Sequence, residues 1–208
     1  MAVTKSGKQS WLSVSGSALW VALRFSIIFI ILCGIVYPLA STGLAQILFP
    51  WQANGSLIKD NQGKVIGSEL IGQSFTDPKL FHGRISSIDY NGAGSGSSNY
   101  APSNPQLMQR IGSSLDAWKK ANPDAPFSKL PIDLMTNSGS GLDPHITPQA
   151  AESQIPRISK LTGIAVDKLE WMVQDATSAR DLGLFGQPRV NVLRLNMELQ
   201  EQLLKINS

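Results

Sequence analysis

Ser138, Ser140, Asp143 and His145 lie in one short run, Ser138-Gly139-Ser140-Gly141-Leu142-Asp143-Pro144-His145. A hydroxyl, an imidazole and a carboxylate are the groups of an acyl-transfer triad, in which the base takes the hydroxyl proton and the acid orients the base. A nucleophile elbow needs glycine on both sides of the serine, two positions away, so that a sharp turn exposes the hydroxyl. Ser140 has Ser138 and Leu142 at those places, and Ser95 and Ser97 fail in the same way. Pro144 fixes the backbone between Asp143 and His145, which hinders a direct bond between their side chains. A turn whose short polar side chains bond nearby backbone explains the run more simply. A triad built without the elbow, Ser138 or Ser140 with His145 in a membrane-anchored envelope hydrolase, stands as the alternative.

Two other chemistries fail on spacing. Gly92, Gly94 and Gly96 alternate as in a phosphate cradle. The lysine and hydroxyl that close a nucleotide loop are missing, because Gly63-Lys64 leads into Val65 and Gly7-Lys8 into Gln9. Asn99 stands where a dinucleotide fingerprint needs its third glycine. The two histidines, His82 and His145, are far apart in sequence, and the single cysteine, Cys33, sits in an apolar segment. No metal-ligand set follows.

The elements that would position these groups begin with that apolar segment. From Ala18 to Ala40 only Arg24 and Ser26 interrupt the apolar run, and about 20 such residues cross a bilayer as a helix. Trp20 on one side, with Tyr37 and Trp51 on the other, suits the two interfaces. Gly43-Leu44-Ala45 offers a signal-cleavage pattern, but the run is too long for a signal core and its flank stays apolar. Lys5, Lys8 and Arg24 are the only charged residues before Lys59, which predicts a cytoplasmic N-terminus. The whole chain carries 18 basic and 15 acidic residues, so the remainder is neutral and lacks the basic excess of a nucleic-acid binder. The expectation is a cytoplasmic tail over residues 1–17, a transmembrane helix over 18–40 and one extracytoplasmic mixed α/β domain over 41–208.

Within that domain, Leu57-Ile58-Lys59 and Lys64–Gly67 flank a turn and read as a hairpin. Residues 72–105 carry little periodicity and read as a long loop. Asn104-Pro105 starts a helix whose Leu107, Ile111, Leu115 and Trp118 recur at helical spacing until Asn122-Pro123. Pro131–Met135 is a strand candidate, and Thr147-Pro148 opens a helical stretch that Pro156 kinks or restarts. Leu169, Met172, Val173 and Ala176 mark another helix, and Val190–Leu195 reads as a late strand before a final helix.

Three runs together resemble one known family: Ser95–Pro105, Asp133–Pro148 and Pro188–Leu193, supported by Gly72-Gln73-Ser74-Phe75 and Phe81-His82-Gly83-Arg84. They are similar to the C subunit of the bacterial Kdp potassium-transporting ATPase, over nearly the whole chain. Ser97, Tyr100, Ala101 and Asn137 stand where the family usually has glycine, leucine, glycine and alanine. The resemblance implies a non-catalytic, single-pass subunit of a four-part inner-membrane complex. Its partners would be a channel-like potassium-binding subunit, a P-type ATPase subunit and a small membrane subunit, with lipid around the span. ATP and magnesium would sit in the ATPase subunit, with no cofactor held by this chain. The family is described as a chaperone that raises the ATPase subunit's affinity for ATP, which an extracytoplasmic domain can do only by coupling through the assembly. As family-motif interface or structural residues the resemblance marks Ser98, Asn99, Pro102 and Asn104 in the first run. It marks Ser138, Gly139, Ser140, Gly141, Asp143, Pro144 and His145 in the second, and Arg189 and Asn191 in the third.

Overall fold

The computed structural model describes residues 16–60, 62–94, 96–126 and 130–207, and the chain divides into two compact units, Met1–Asn54 and Gly55–Ser208. Residues 1–15 of the expected tail lie outside the described part. In the first unit, α1 (Gly16–Ile31), a π turn (Leu32–Val36) and α2 (Tyr37–Leu48) run as one helix of 33 residues with hydropathy 2.5. At 1.5 Å per residue it is about 50 Å long, more than the roughly 30 Å of a bilayer core. Its side chains are exposed rather than packed against other parts of the chain.

The sequence places the exit from the membrane near Pro38 and Gly43, and the helix itself continues to Leu48. A proline lacks the N–H for the carbonyl four residues back, here Gly34, and its ring crowds that carbonyl. The π turn widens the helix there and accommodates both effects without ending it. A short helix, α3 (Pro50–Ala53), follows, and the second unit starts at Gly55.

The second unit opens with the expected hairpin, β1 (Leu57–Lys59) against β2 (Val65–Ser68), antiparallel. The Asp60 carboxylate accepts from the Gln62 and Lys64 amides, both at 2.9 Å, which fixes the turn. α4 (Pro105–Ala121) begins where Asn104 Oδ1 accepts from the Gln106 N–H at 2.9 Å. Only Trp118 of its apolar stripe is buried; Leu107, Ile111 and Leu115 are half-covered. The Pro131–Met135 strand candidate is instead a 3₁₀ turn over Ile132–Leu134. Met135 donates back to the Ile132 carbonyl at 2.9 Å, which closes the turn.

That sheet has order β3 (His145–Ile146), β5 (Arg189–Asn191), β4 (Thr177–Ser178), all antiparallel. Thr147 Oγ1 accepts from the Ala150 N–H at 3.1 Å to start α5 (Pro148–Glu152), and α6 (Ile155–Thr162) restarts around Pro156. α7 (Val166–Asp175) buries Leu169, Met172 and Val173 as the spacing requires. The late strand is shorter than Val190–Leu195, because α8 (Val192–Asn207) begins inside it. Asn191 Oδ1 accepts from the Arg194 N–H at 3.1 Å, which caps the helix and turns the chain out of the ladder. Leu195 and Leu199 then share a helix face and pack with Ile146, Ile158, Leu169, Met172 and Val190 in the core.

Candidate functional site

Side chains hold the long 72–105 segment, which has almost no ladder of its own. Asn196 brackets Phe81: the Phe81 N–H donates to its Oδ1 at 2.8 Å, and its Nδ2 donates to the Phe81 carbonyl at 2.9 Å. Gln154 brackets His82 in the same way, at 2.8 and 3.1 Å. Two amides thus replace a neighbouring strand. Beneath them Arg157, only 6% exposed, donates from Nε to Asn122 Oδ1 at 2.9 Å. Its Nη2 donates to the Leu80 carbonyl at 3.1 Å and to Gln154 Oε1 at 2.8 Å, and its Nη1 to the Pro78 carbonyl. Burial pushes its pKa down to about 10, so it stays a cation at neutral pH.

The Ser138–His145 run closes over this segment around Asp143. Ser138 Oγ donates to Asp143 Oδ2 at 2.9 Å, and Arg84 Nη1 reaches the same oxygen at 3.4 Å. The His145 backbone N–H donates to Oδ1 at 3.0 Å, and the His145 ring nitrogen Nδ1 lies 3.8 Å from that oxygen. Arg84 also donates to the carbonyls of Asp133, at 3.2 Å, and Asn137, at 3.3 Å, so one guanidinium ties the start of the run to its middle. Ser86 Oγ donates to the Gly141 carbonyl at 2.6 Å, the Gly72 N–H donates to Leu142 at 2.8 Å, and Val192 donates to Pro144 at 3.0 Å.

This geometry is a clasp. The Ser138 hydroxyl is buried and spends its proton on Asp143, on the oxygen away from the imidazole. Among the described residues neither Ser138 nor Ser140 hydrogen-bonds the His145 ring, and Ser140 Oγ accepts from Leu142 at 3.0 Å. The arrangement is therefore not the serine–histidine pair that the hydrolase alternative requires.

The marked residues separate into three sets by exposure. Ser138, Gly141 and Asn191 are buried, Asp143, Pro144, His145, Asn104 and Arg189 half-buried, and Ser98, Asn99, Pro102, Gly139 and Ser140 exposed. Asn191 pairs with His145 across the sheet and donates to the Glu69 carbonyl at 2.8 Å, and Arg189 pairs with Asp181. Arg84, Gln154, Arg157 and Asn196 do most of the clamping; sequence reasoning noted Arg84 only within the Phe81–Arg84 family match and passed over the other three. Asn137 Nδ2 donates to Ser97 Oγ, and Tyr100 lies under the Arg110 guanidinium at 4.7 Å.

Comparison with known proteins decides what carries this clasp. The family model "KdpC: K+-transporting ATPase, c chain" matches residues 19–201. The potassium-transporting ATPase KdpC subunit of Bacillus cereus (strain AH820) is 56% identical over 179 residues, covering 86% of this chain and 93% of its own. That of Bacillus mycoides (strain KBAB4) is 56% identical over 179 residues, with the same coverage. The chain belongs to the KdpC family. KdpC is the non-catalytic C subunit of the Kdp potassium-transporting ATPase, so other Kdp subunits are its partners. The Asp143 clasp thus lies in a non-catalytic subunit.

Both histidines of this KdpC are held below the ordinary imidazole value of 6.5, chiefly by burial. Arg157 adds to the effect at His82, and Arg189 adds to it at His145 against the pull of Asp143 and Glu69. The unfolded chain therefore takes up these protons first as pH falls through about 6.5, and folding stability drops in that window. Thermal melts between pH 7.5 and 5 should show a falling midpoint, shallower in His82→Gln. A flat midpoint would contradict the burial of these rings.

Proposed function

We propose that this KdpC subunit is an assembly and stabilisation element, anchored by the Gly16–Leu48 helix with its N-terminus in the cytoplasm. The body from Gly55 onward then lies outside, over the potassium entrance of the channel-like subunit. The observation that carries this reading is the unpartnered apolar helix, 0% buried within the chain, joined to a body whose polar motif is consumed internally. Such a helix is stable only against lipid or the helices of partner subunits. The exposed motif residues Ser98, Asn99, Pro102, Gly139 and Ser140 are the surface offered to partners, and the buried ones hold it in shape. The effect on ATP affinity described for the family then reaches the ATPase subunit by coupling through the complex. Deleting the chain should abolish high-affinity potassium uptake and the co-purification of the polytopic subunits. Uptake at the normal level without it would refute the proposal, and a protease-accessible tag at the N-terminus of intact cells would refute the orientation.

A further inference from the structure

The arginines of the Gly55–Ser208 unit find acceptors inside the chain, with one exception among the described residues. Arg84 and Arg157 hold backbone carbonyls, Arg180 donates to Gln187, Arg189 meets Asp181, and Arg194 lies 2.9 Å from Glu69 Oε1. Arg110, in the first half of α4, is different. Its Nε is buried without a hydrogen-bond partner, and among the described residues no carboxylate forms an ion pair with it. A half-buried cation in this state has lost water and gained no oxygen in return, which is costly.

The side chain is nonetheless held in place. The guanidinium lies over the Tyr100 ring, 4.7 Å from its centroid, and Tyr100 is half-buried too. A ring face attracts the charge but is no oxygen acceptor for the N–H groups. Tyr100 is fixed in turn. Its N–H donates to the Ser98 carbonyl at 2.9 Å, and the Asn104 N–H donates to the Ala101 carbonyl at 2.9 Å. The hydrogen bond from Asn137 to Ser97 joins this run to the clasp. Arg110 is thus set against the run that also exposes Ser98, Asn99 and Pro102.

We propose that Arg110 receives the carboxylate of an aspartate or glutamate side chain from another Kdp subunit, with the Tyr100 ring holding the guanidinium ready for it. This rests on the reading of the exposed motif residues as the surface offered to partners, and it names the chemistry that meets that surface. A guanidinium fork takes a carboxylate in two parallel hydrogen bonds, and with Nε enclosed the two terminal nitrogens are the ones presented. Charge complementarity selects the occupant, because a cation already partly stripped of water gains most from an anion arriving on a partner's surface. Arginines and aromatic rings are the usual anchors of such interfaces.

The test uses the complete complex, purified with the other Kdp subunits. A carbodiimide joins an amine to a carboxylate in direct contact and leaves a guanidinium alone. In Arg110→Lys, mass spectrometry should find position 110 joined to an aspartate or glutamate of another subunit. No adduct at 110, or one to an acid of this chain, would overturn the proposal. A photoreactive side chain at position 99 reads the surface independently. Capture of a Kdp subunit from 99 with no adduct at 110 sinks the Arg110 contact and leaves the partner surface standing, whereas capture from neither removes both. Arg110→Gln separates contact from folding. The chain alone in detergent should melt within about 3 °C of the parent, since no internal hydrogen bond of the side chain is lost. From the complex the same variant should be released about tenfold or more faster, while Lys79→Gln, an equal charge change on an exposed residue, is released at the parental rate. A far lower melting point would make Arg110 a structural residue, and release no faster than in Lys79→Gln would leave it without a partner; either result overturns the proposal.

Discussion

Arg157→Met will destabilise the Gly55–Ser208 unit by about 3–5 kcal/mol, because one substitution leaves several acceptors without their donor. Methionine fills similar space, so the loss is one of hydrogen bonds more than of volume. The substitution strands the Pro78 and Leu80 carbonyls, Asn122 Oδ1 and one bond to Gln154 Oε1, all now satisfied by one guanidinium. Each buried acceptor left without a donor costs about 1–3 kcal/mol. Domains of this size are stable by only about 5–15 kcal/mol, so the variant should lie near the edge of folding. Arg157→Lys should recover little, because a point charge cannot span carbonyls that a planar fork reaches together. The measurement is the urea midpoint of the chain in detergent. A loss below about 1 kcal/mol would mean that water enters and takes over the donors.

The reason Arg157 went unnoticed in the sequence is physical. It sits in Ile155-Pro156-Arg157-Ile158, where period alone cannot distinguish an inward arginine from one on a solvated face. Its partners are contributed by segments far away in the chain, Pro78, Leu80 and Asn122. Local signals behaved differently. The Asn104 and Thr147 caps, the β1–β2 turn and the long apolar helix depend on neighbours within a few residues, and each formed where its residues stand. The two strand errors have separate local causes: the Met135 N–H returns to the Ile132 carbonyl and closes a 3₁₀ turn, and Asn191 caps a helix in place of extending the ladder, although Ile132 and Val192 are good strand formers. The clasp was half legible: the serines, glycines and Asp143 read as a turn, whereas the Arg84 that closes it comes from a different loop.

Gly141→Ala and Gly139→Ala should differ sharply, although the two glycines stand two positions apart in one motif. Gly141 has φ +69°, where an L side chain costs about 1–2 kcal/mol. A Cβ there would also lie 2.8 Å from the Gly96 carbonyl oxygen and 2.8 Å from Ile88 Cγ1. The first is backbone and cannot swing aside, so overpacking adds about 1–3 kcal/mol. Together these predict a loss of roughly 2–5 kcal/mol and loosening of the Ser86–Gly141 hydrogen bond, since the strain falls on the residue that accepts it. A Cβ at Gly139 would meet nothing within 4 Å, and Gly139→Ala should stay within about 1 kcal/mol of the parent in either direction. Thermal midpoints of both variants, with hydrogen exchange at the Gly72 amide as the local reading, decide the matter. The Gly72 amide donates to Leu142, next to the strained position, and should exchange faster only in Gly141→Ala. Equal midpoints would mean that the 138–145 run is a loose surface turn, and the clasp would then be unable to hold the exposed motif residues in one shape for a partner.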